Sequence, residues 1–230
     1  MVKNYLDLHP FTNPIESFGE DISVSMEKLR DSNDAKTLSP AVFLFQAGYL
    51  SIKRTDTDTD TAYLNFPNGE VKHAVTRLMA EQLLKSKDID GISMDLWKEA
   101  AQKGDVEAFV TVMNGTFNQI DYVGYPLTRE SHVRAAVHIY LMAIKRSVTA
   151  ERHYSKGRSD LEFNAGDYHW VMEFKYAKEG DDPDTLLAEA LNQIKSKRYG
   201  EGQDIGNKKL LRVGLVFDGK ERQFVRHGVV

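Results

Sequence analysis

The sequence predicts an α/β (α+β) protein in which an αβββαβ unit closes the chain behind a mainly helical N-terminal region. Three observations predict it. Val133, Val137, Tyr140, Leu141 and Ile144 form one apolar stripe of a helix over residues 129–145. The pattern then changes to short runs of bulky apolar residues at 149–154, 160–164 and 168–176, which read as strands. A second amphipathic helix over 185–198 turns Leu187, Ala190, Leu191 and Ile194 inward. It leads to an apolar strand at 211–217, beside which 223–226 can pair as an edge.

The N-terminal elements are shorter. Residues 1–36 begin irregular and Pro-bearing, then give a helical pattern over 14–29. PAVFLFQAGYL at 40–50 is an apolar helix with Gly48 near its end, and 51–54 and 62–66 are strand-like runs on either side of DTDTDT. A helix over 70–85 follows, with Val71, Val75, Leu78, Met79 and Leu83 at helical spacing. The order helix, helix, hairpin, helix resembles a winged-helix arrangement. Two more helices, 94–102 and 106–117, bridge the halves, with Asp105 as a cap and Asn114-Gly115 as a break. The expected regions are 1–88, 89–126 and 127–230.

The chain of 230 residues is long enough to bury a core, as one large domain or two small ones. Hydrophobic residues at 41% and charged residues at 28% fit a soluble globular protein. The lack of cysteine excludes disulfides and thiolate metal sites and suits a reducing cytoplasm. No apolar run approaches a membrane span, and the N-terminus lacks the apolar centre of a signal peptide, so a soluble, cytoplasmic protein with no membrane partner is expected. The net charge of −4 is uneven: residues 127–230 carry 18 Lys and Arg against 15 Asp and Glu, and residues 1–126 carry 12 against 19. The sign favours the C-terminal half as the part that meets a polyanion.

The chemistry concentrates in residues 157–175, GRSDLEFNAGDYHWVMEFK. Strand alternation puts Trp170, Met172, Phe174 and Tyr176 on one face and Glu173 with Lys175 on the other. A carboxylate and an ammonium inside an apolar strand carry a desolvation cost unless something pairs with them. Asp160 opens the preceding strand, and a hairpin through Gly166-Asp167 can bring it beside Glu173. Two carboxylates and a lysine at one sheet edge can hold a hard divalent metal and activate a water. The plainer roles are a turn residue or Arg158 partner for Asp160, and an exposed ion pair for Glu173 and Lys175. Glu130 shares the face of the apolar stripe, where a first-turn acid also gains from the helix dipole. Lys195, Lys197 and Arg198 fit a solvated helix end.

The order Gly-Arg-Ser-Asp, Glu-Phe-Lys, then Ala-Leu-Asn-Gln-Ile followed by Tyr199 resembles the PD-(D/E)XK nuclease superfamily, in particular the branch found behind an AAA-ATPase-like domain. The full signature has Pro before the Asp, where this chain has Ser159. LFQAGYLSIK and YLNFPNGEVK resemble, more loosely, the region between the two parts in that branch. The resemblance implies a restriction-endonuclease-like core and Mg²⁺- or Mn²⁺-dependent hydrolysis of DNA. Asp160 and Glu173 would be metal ligands, with Glu130 completing the shell, and Lys175 would orient the attacking water. Gln193 would contact the scissile phosphate or brace the lysine, and Arg158 would touch the nucleic-acid backbone. Related nucleases space this Gln and Tyr more closely than the six residues found here, so Tyr199 is expected to pack past the helix end. Asp160→Ala is expected to abolish cleavage and leave the fold intact.

No G-x-x-x-x-G-K-S/T loop occurs, so an ATPase domain would act as a partner, and a homodimer is the other assembly such a nuclease suggests. The readings set against cleavage by the chain itself are a non-cleaving nucleic-acid or protein interaction module on the same fold, and a nuclease active only with an ATPase partner. Asp56, Asp58 and Asp60 begin like a calcium loop, but Thr61 and Pro67 stand where Gly and Glu are needed. The seven histidines form no H-E-x-x-H, and no G-x-S-x-G elbow is present.

Overall fold

The computed structural model describes residues 21–30, 38–84, 92–120, 125–144, 148–150 and 152–230. Strand β1 (Ile22–Ser25) leads into the short helix α1 (Met26–Arg30). Helix α2 (Pro40–Gln46) precedes the hairpin of β2 (Ser51–Asp56) and β3 (Thr61–Asn65), and α3 (Gly69–Leu83) follows. The three strands make an antiparallel sheet in the order β1-β3-β2. The helix expected over 14–29 is therefore corrected: residues 14–20 lie outside the described residues, and 22–25 is a strand. Ile22 and Val24 alternate with serines and pair with Leu64 and Ala62, a β-branched pattern that the β3 edge converts into sheet. Ser39 caps α2 by accepting the Val42 N–H, with Pro40 in the first turn, and Gly48 at φ 80° turns the chain towards β2.

Helices α4 (Ile92–Lys103) and α5 (Val106–Phe117) follow. Asp105 caps α5 by accepting the Ala108 N–H, as expected. Asn114-Gly115 does not break the helix. The Asn114 side chain instead accepts the Phe224 N–H at 2.7 Å and donates to the Phe224 carbonyl at 2.9 Å. A glycine within a helix costs about 1 kcal/mol, and the buried flank of Val110, Met113 and Phe117 offsets it.

The C-terminal half contains α6 (Glu130–Ile144), β4 (Val148–Ala150), β5 (His153–Tyr154), β6 (Gly157–Arg158), β7 (Leu161–Ala165), β8 (Tyr168–Ala177), α7 (Pro183–Lys197), β9 (Lys209–Asp218) and β10 (Gln223–Val229). The main sheet has the order β10-β9-β8-β7-β4. Its β8–β9 pair is parallel because α7 crosses over between them, and the other pairs are antiparallel. This is the predicted αβββαβ order with one difference. The run expected at 149–154 is split, because β4 joins β7 while β5 folds onto β6 as a separate small hairpin.

Helix α7 starts where Asp182 accepts the N–H groups of Asp184 and Thr185, and it ends at Arg198 in the left-handed region. The helix lies close over the sheet at Gly214, where an added Cβ would meet Leu191 Cδ2 at 2.9 Å. One apolar core runs from Val24 to Phe224 and includes Trp97, Phe109, Tyr140, Trp170 and Phe174. A smaller cluster of Val171, Ile194 and Tyr199 fills the space under α7. The sheet thus has a mainly apolar face against the main core and a face where polar residues sit beside that small cluster. Among the described residues no helix is long and apolar enough to cross a membrane.

Candidate active site

The β7–β8 register pairs Leu161 with Met172, so Asp160, one residue earlier, stands across from Glu173. The hairpin closes through Gly166 at φ 52°. Alternation along β8 separates Trp170, Met172 and Phe174, all fully buried in the main core, from Glu173 and Lys175 on the α7 side. The Phe174 N–H donates to Asp160 Oδ2 at 2.8 Å, and Arg134 Nη1 from α6 donates to Oδ1 at 3.0 Å. The cation paired with Asp160 is thus Arg134 rather than Arg158, and the carboxylate is buried rather than hydrated. The expectation that Asp160→Ala leaves the fold untouched is corrected on this ground: the variant takes the acceptor from a buried N–H and one partner from a half-buried guanidinium.

Glu173 is 2% exposed. Its Oε1 accepts from Lys175 Nζ at 3.3 Å, and its Oε2 is buried with no hydrogen-bond partner among the described residues. Burial, then the Asp160 charge, push this carboxyl up to about 8 against the opposing pull of Lys175. Lys175 Nζ also donates to Gln193 Oε1 at 3.1 Å and stands 4.0 Å from Glu130 Oε2. Burial by itself would lower the lysine ammonium, but Glu173 and Glu130 hold it above the ordinary lysine range, so it is charged. Burial raises the Glu130 carboxyl, with Lys175 opposing.

The structure brings Glu130, Asp160, Glu173, Lys175 and Gln193 into one cluster fed by α6, the turn before β7, β8 and α7. Tyr199 lies past the helix end, wholly buried. Its hydroxyl accepts the Arg158 N–H at 3.2 Å and faces Gln193 Nε2 at 3.5 Å. Arg158 is exposed on β6, attached to the cluster through its backbone. Lys195 and Lys197 are exposed, and Arg198 pairs with Glu201.

Sequence reasoning missed two sets of residues. Arg134 follows Glu130 by four, the spacing that places both on one helix face, and this was the available signal. The second set surrounds Glu162, which is 1% exposed. It accepts from Ser159 Oγ at 2.6 Å, from Gln203 Nε2 at 3.1 Å and from the Tyr154 hydroxyl, and His169 Nε2 lies 3.3 Å away. Burial would raise this carboxyl, but the bonds from His169, Ser159, Tyr154 and Gln203 outweigh it and hold the group below the ordinary carboxylate range. Glu162 stands two residues after Asp160, so strand alternation places both on one face.

Among the described residues, no group of three or more His, Cys, Asp and Glu side chains is arranged to hold a metal ion by itself. The donor set is the pair Asp160 and Glu173, with Glu130 held towards Lys175. A small hard cation is commonly bound by one or two carboxylates, with waters and phosphate oxygens filling the other positions. The unpartnered Glu173 Oε2 beside the Asp160 charge is the acceptor such a cation satisfies, so the residues fit Mg²⁺ or Mn²⁺.

Residues 128–227 match the family model of the PD-(D/E)XK nuclease superfamily, a span that contains the whole cluster and bears out the resemblance read from the motifs. No curated protein and no solved structure matches the chain.

Proposed function

We propose that this chain, whose residues 128–227 fall within the PD-(D/E)XK nuclease superfamily, is a Mg²⁺- or Mn²⁺-dependent nuclease that hydrolyses phosphodiester bonds of DNA. The observation that carries the reading is the free Oε2 of Glu173. A buried carboxylate oxygen with no partner destabilises a fold, and evolution has little reason to keep one unless a ligand completes it.

Asp160 and Glu173 would hold the metal, with Glu130 completing its shell. A bound divalent cation supplies an acidified water and offsets charge on the phosphate oxygens. Asp160 needs little reorganisation for this role, since Phe174 N–H and Arg134 already fix its carboxylate. The Lys175 ammonium, charged and held between Glu173 and Gln193, donates to the attacking water and to the negative charge that grows on the phosphate. Gln193 sets the direction of Lys175 through its Oε1. Exposed Arg158 reaches the backbone phosphates beside the cut.

The test is cleavage of labelled circular, linear and single-stranded DNA with Mg²⁺, Mn²⁺ or EDTA, with Lys175→Ala alongside. Cutting that needs metal and vanishes in the variant supports the proposal. A folded protein that cuts nothing, alone or with an added ATPase-domain partner, returns the chain to a non-cleaving interaction module. Chromatography of the same sample decides whether a homodimer is the working form.

A further inference from the structure

Residues 159 and 160 fall between β6 and β7 and belong to neither strand, so sheet ladders hold the backbone that carries Asp160 only through Arg158 and Leu161 on either side. Two bonds hold it within the turn. The Ser159 N–H donates to the Arg152 carbonyl at 3.0 Å, and Ser159 Oγ donates to Glu162 Oε1 at 2.6 Å. We infer that Ser159 and Glu162 are positioning residues, which fix the Asp160 carboxylate by tying its turn into a buried hydrogen-bond network. The inference rests on the nuclease reading of Asp160.

The network is deep and drawn from several parts of the chain. Ser159 is wholly buried and Glu162 is 1% exposed. Tyr154 comes from the β5–β6 hairpin, Gln203 from the segment between α7 and β9, and His169 from β8, with Asn164 Oδ1 2.8 Å from His169 Nδ1. Tyr154 also receives a hydrogen bond from Gln203. Burial and the Glu162 charge both raise the Tyr154 hydroxyl, which keeps it a donor. Stability alone does not call for this arrangement, because a buried charged network is often matched or bettered by apolar packing. What the network does supply is a fixed place for Ser159, the residue that stands directly before Asp160. Partners one bond removed from a metal ligand set its orientation, and their loss commonly lowers metal affinity about 10- to 100-fold.

The Phe174 N–H, bonded to Asp160 Oδ2 at 2.8 Å, reports the position of that carboxylate without any activity assay. The experiment uses the full chain as wild type, Ser159→Ala and Glu162→Gln. It measures amide exchange at Phe174 and Mn²⁺ binding by calorimetry. Asn114→Ala, which frees the β10 backbone at the opposite edge of the sheet, controls for lost stability. Ser159→Ala is expected to speed Phe174 exchange and to weaken Mn²⁺ binding about tenfold, while Asn114→Ala does neither. If Ser159→Ala does not fold, Glu162→Gln gives the same two readouts with its volume kept. Wild-type protection and Mn²⁺ affinity in these variants, or equal losses in Asn114→Ala, overturn the inference. A wild type that binds no Mn²⁺ leaves the Phe174 amide to decide alone. A wild type that cuts no DNA while Ser159→Ala still frees that amide keeps the positioning role and removes the nuclease reading. Normal cutting with an undisturbed amide in Ser159→Ala does the reverse.

Discussion

Glu162 and Glu173 lie on the same face of the five-stranded sheet, both almost wholly buried, yet among the described residues the first accepts from Ser159, Tyr154 and Gln203 and the second from Lys175 alone. Val171 sits opposite Glu162 in the register and two residues before Glu173, so the two acids stand on a diagonal of neighbouring strands, with Val171 and Asp160 at the other two corners. Their surroundings drive the carboxyls apart. Donors hold Glu162 below the ordinary range, whereas burial and Asp160 push Glu173 up to about 8. A buried acid whose oxygens are all satisfied builds scaffold. A buried acid with a spare oxygen beside a second carboxylate is kept ready for something that is not protein.

The largest effect that can break this comparison is on cleavage. Lys175→Ala should lower the initial rate of DNA cutting roughly 100- to 1,000-fold at saturating metal, as loss of one charge-stabilising donor does elsewhere. An equal loss from Glu162→Gln and none from Lys175→Ala would reverse the assignment of scaffold and site. Asp160→Ala should abolish cutting as well, and it should also cost about 1–3 kcal/mol in denaturant unfolding, because the buried Phe174 N–H loses its acceptor and Arg134 loses one of its partners. A stability unchanged from wild type would show that neither bond matters to the fold.

The pH dependence of stability sharpens the contrast because the two signs are opposite. The Glu173 carboxyl is raised on folding, so its favourable contribution is full below its unfolded pKa and is lost as pH climbs through about 8. Measured in EDTA, Glu173→Gln should match wild type near pH 5 and exceed it by about 1–4 kcal/mol near pH 8.5. The Glu162 carboxyl is lowered, so its contribution is present above its unfolded pKa and fades as pH falls through the folded value. Glu162→Gln should accordingly be the less stable protein at pH 7 and approach wild type in acid. Two variants with the same sign at pH 8.5 would erase the distinction. The smallest effect belongs to the exposed Arg158: Arg158→Ala should raise KM for DNA a few-fold, more so in low salt, with Tm unchanged.

Much of the site was legible because it rests on short-range rules. The alternation from Trp170 to Tyr176 placed Glu173 with Lys175, and the Gly166-Asp167 turn set the register that brings Asp160 opposite. The Asp105 cap and the span of α5 were equally local. What escaped notice depends on partners far along the chain. Nothing within the ISVS run announces that it pairs with Ala62 and Leu64, so its strand character stayed hidden. Asn114 looked like a break because Asn-Gly usually is one, and its true partner, Phe224, is 110 residues away. The network on Glu162 draws on Tyr154, His169 and Gln203, residues whose convergence follows from topology rather than from any periodicity.

The most direct test pairs stability with cutting in a single variant. Wild type and Glu173→Gln are compared for Mn²⁺-dependent cleavage of labelled plasmid DNA at pH 8.5, with thermal unfolding recorded on the same samples in EDTA. The expected result is a variant that melts higher than wild type and cuts nothing, while wild type cuts with Mn²⁺ and stops with EDTA. A Glu173→Gln protein that cuts as wild type does, or a folded wild type that never cuts, would contradict it.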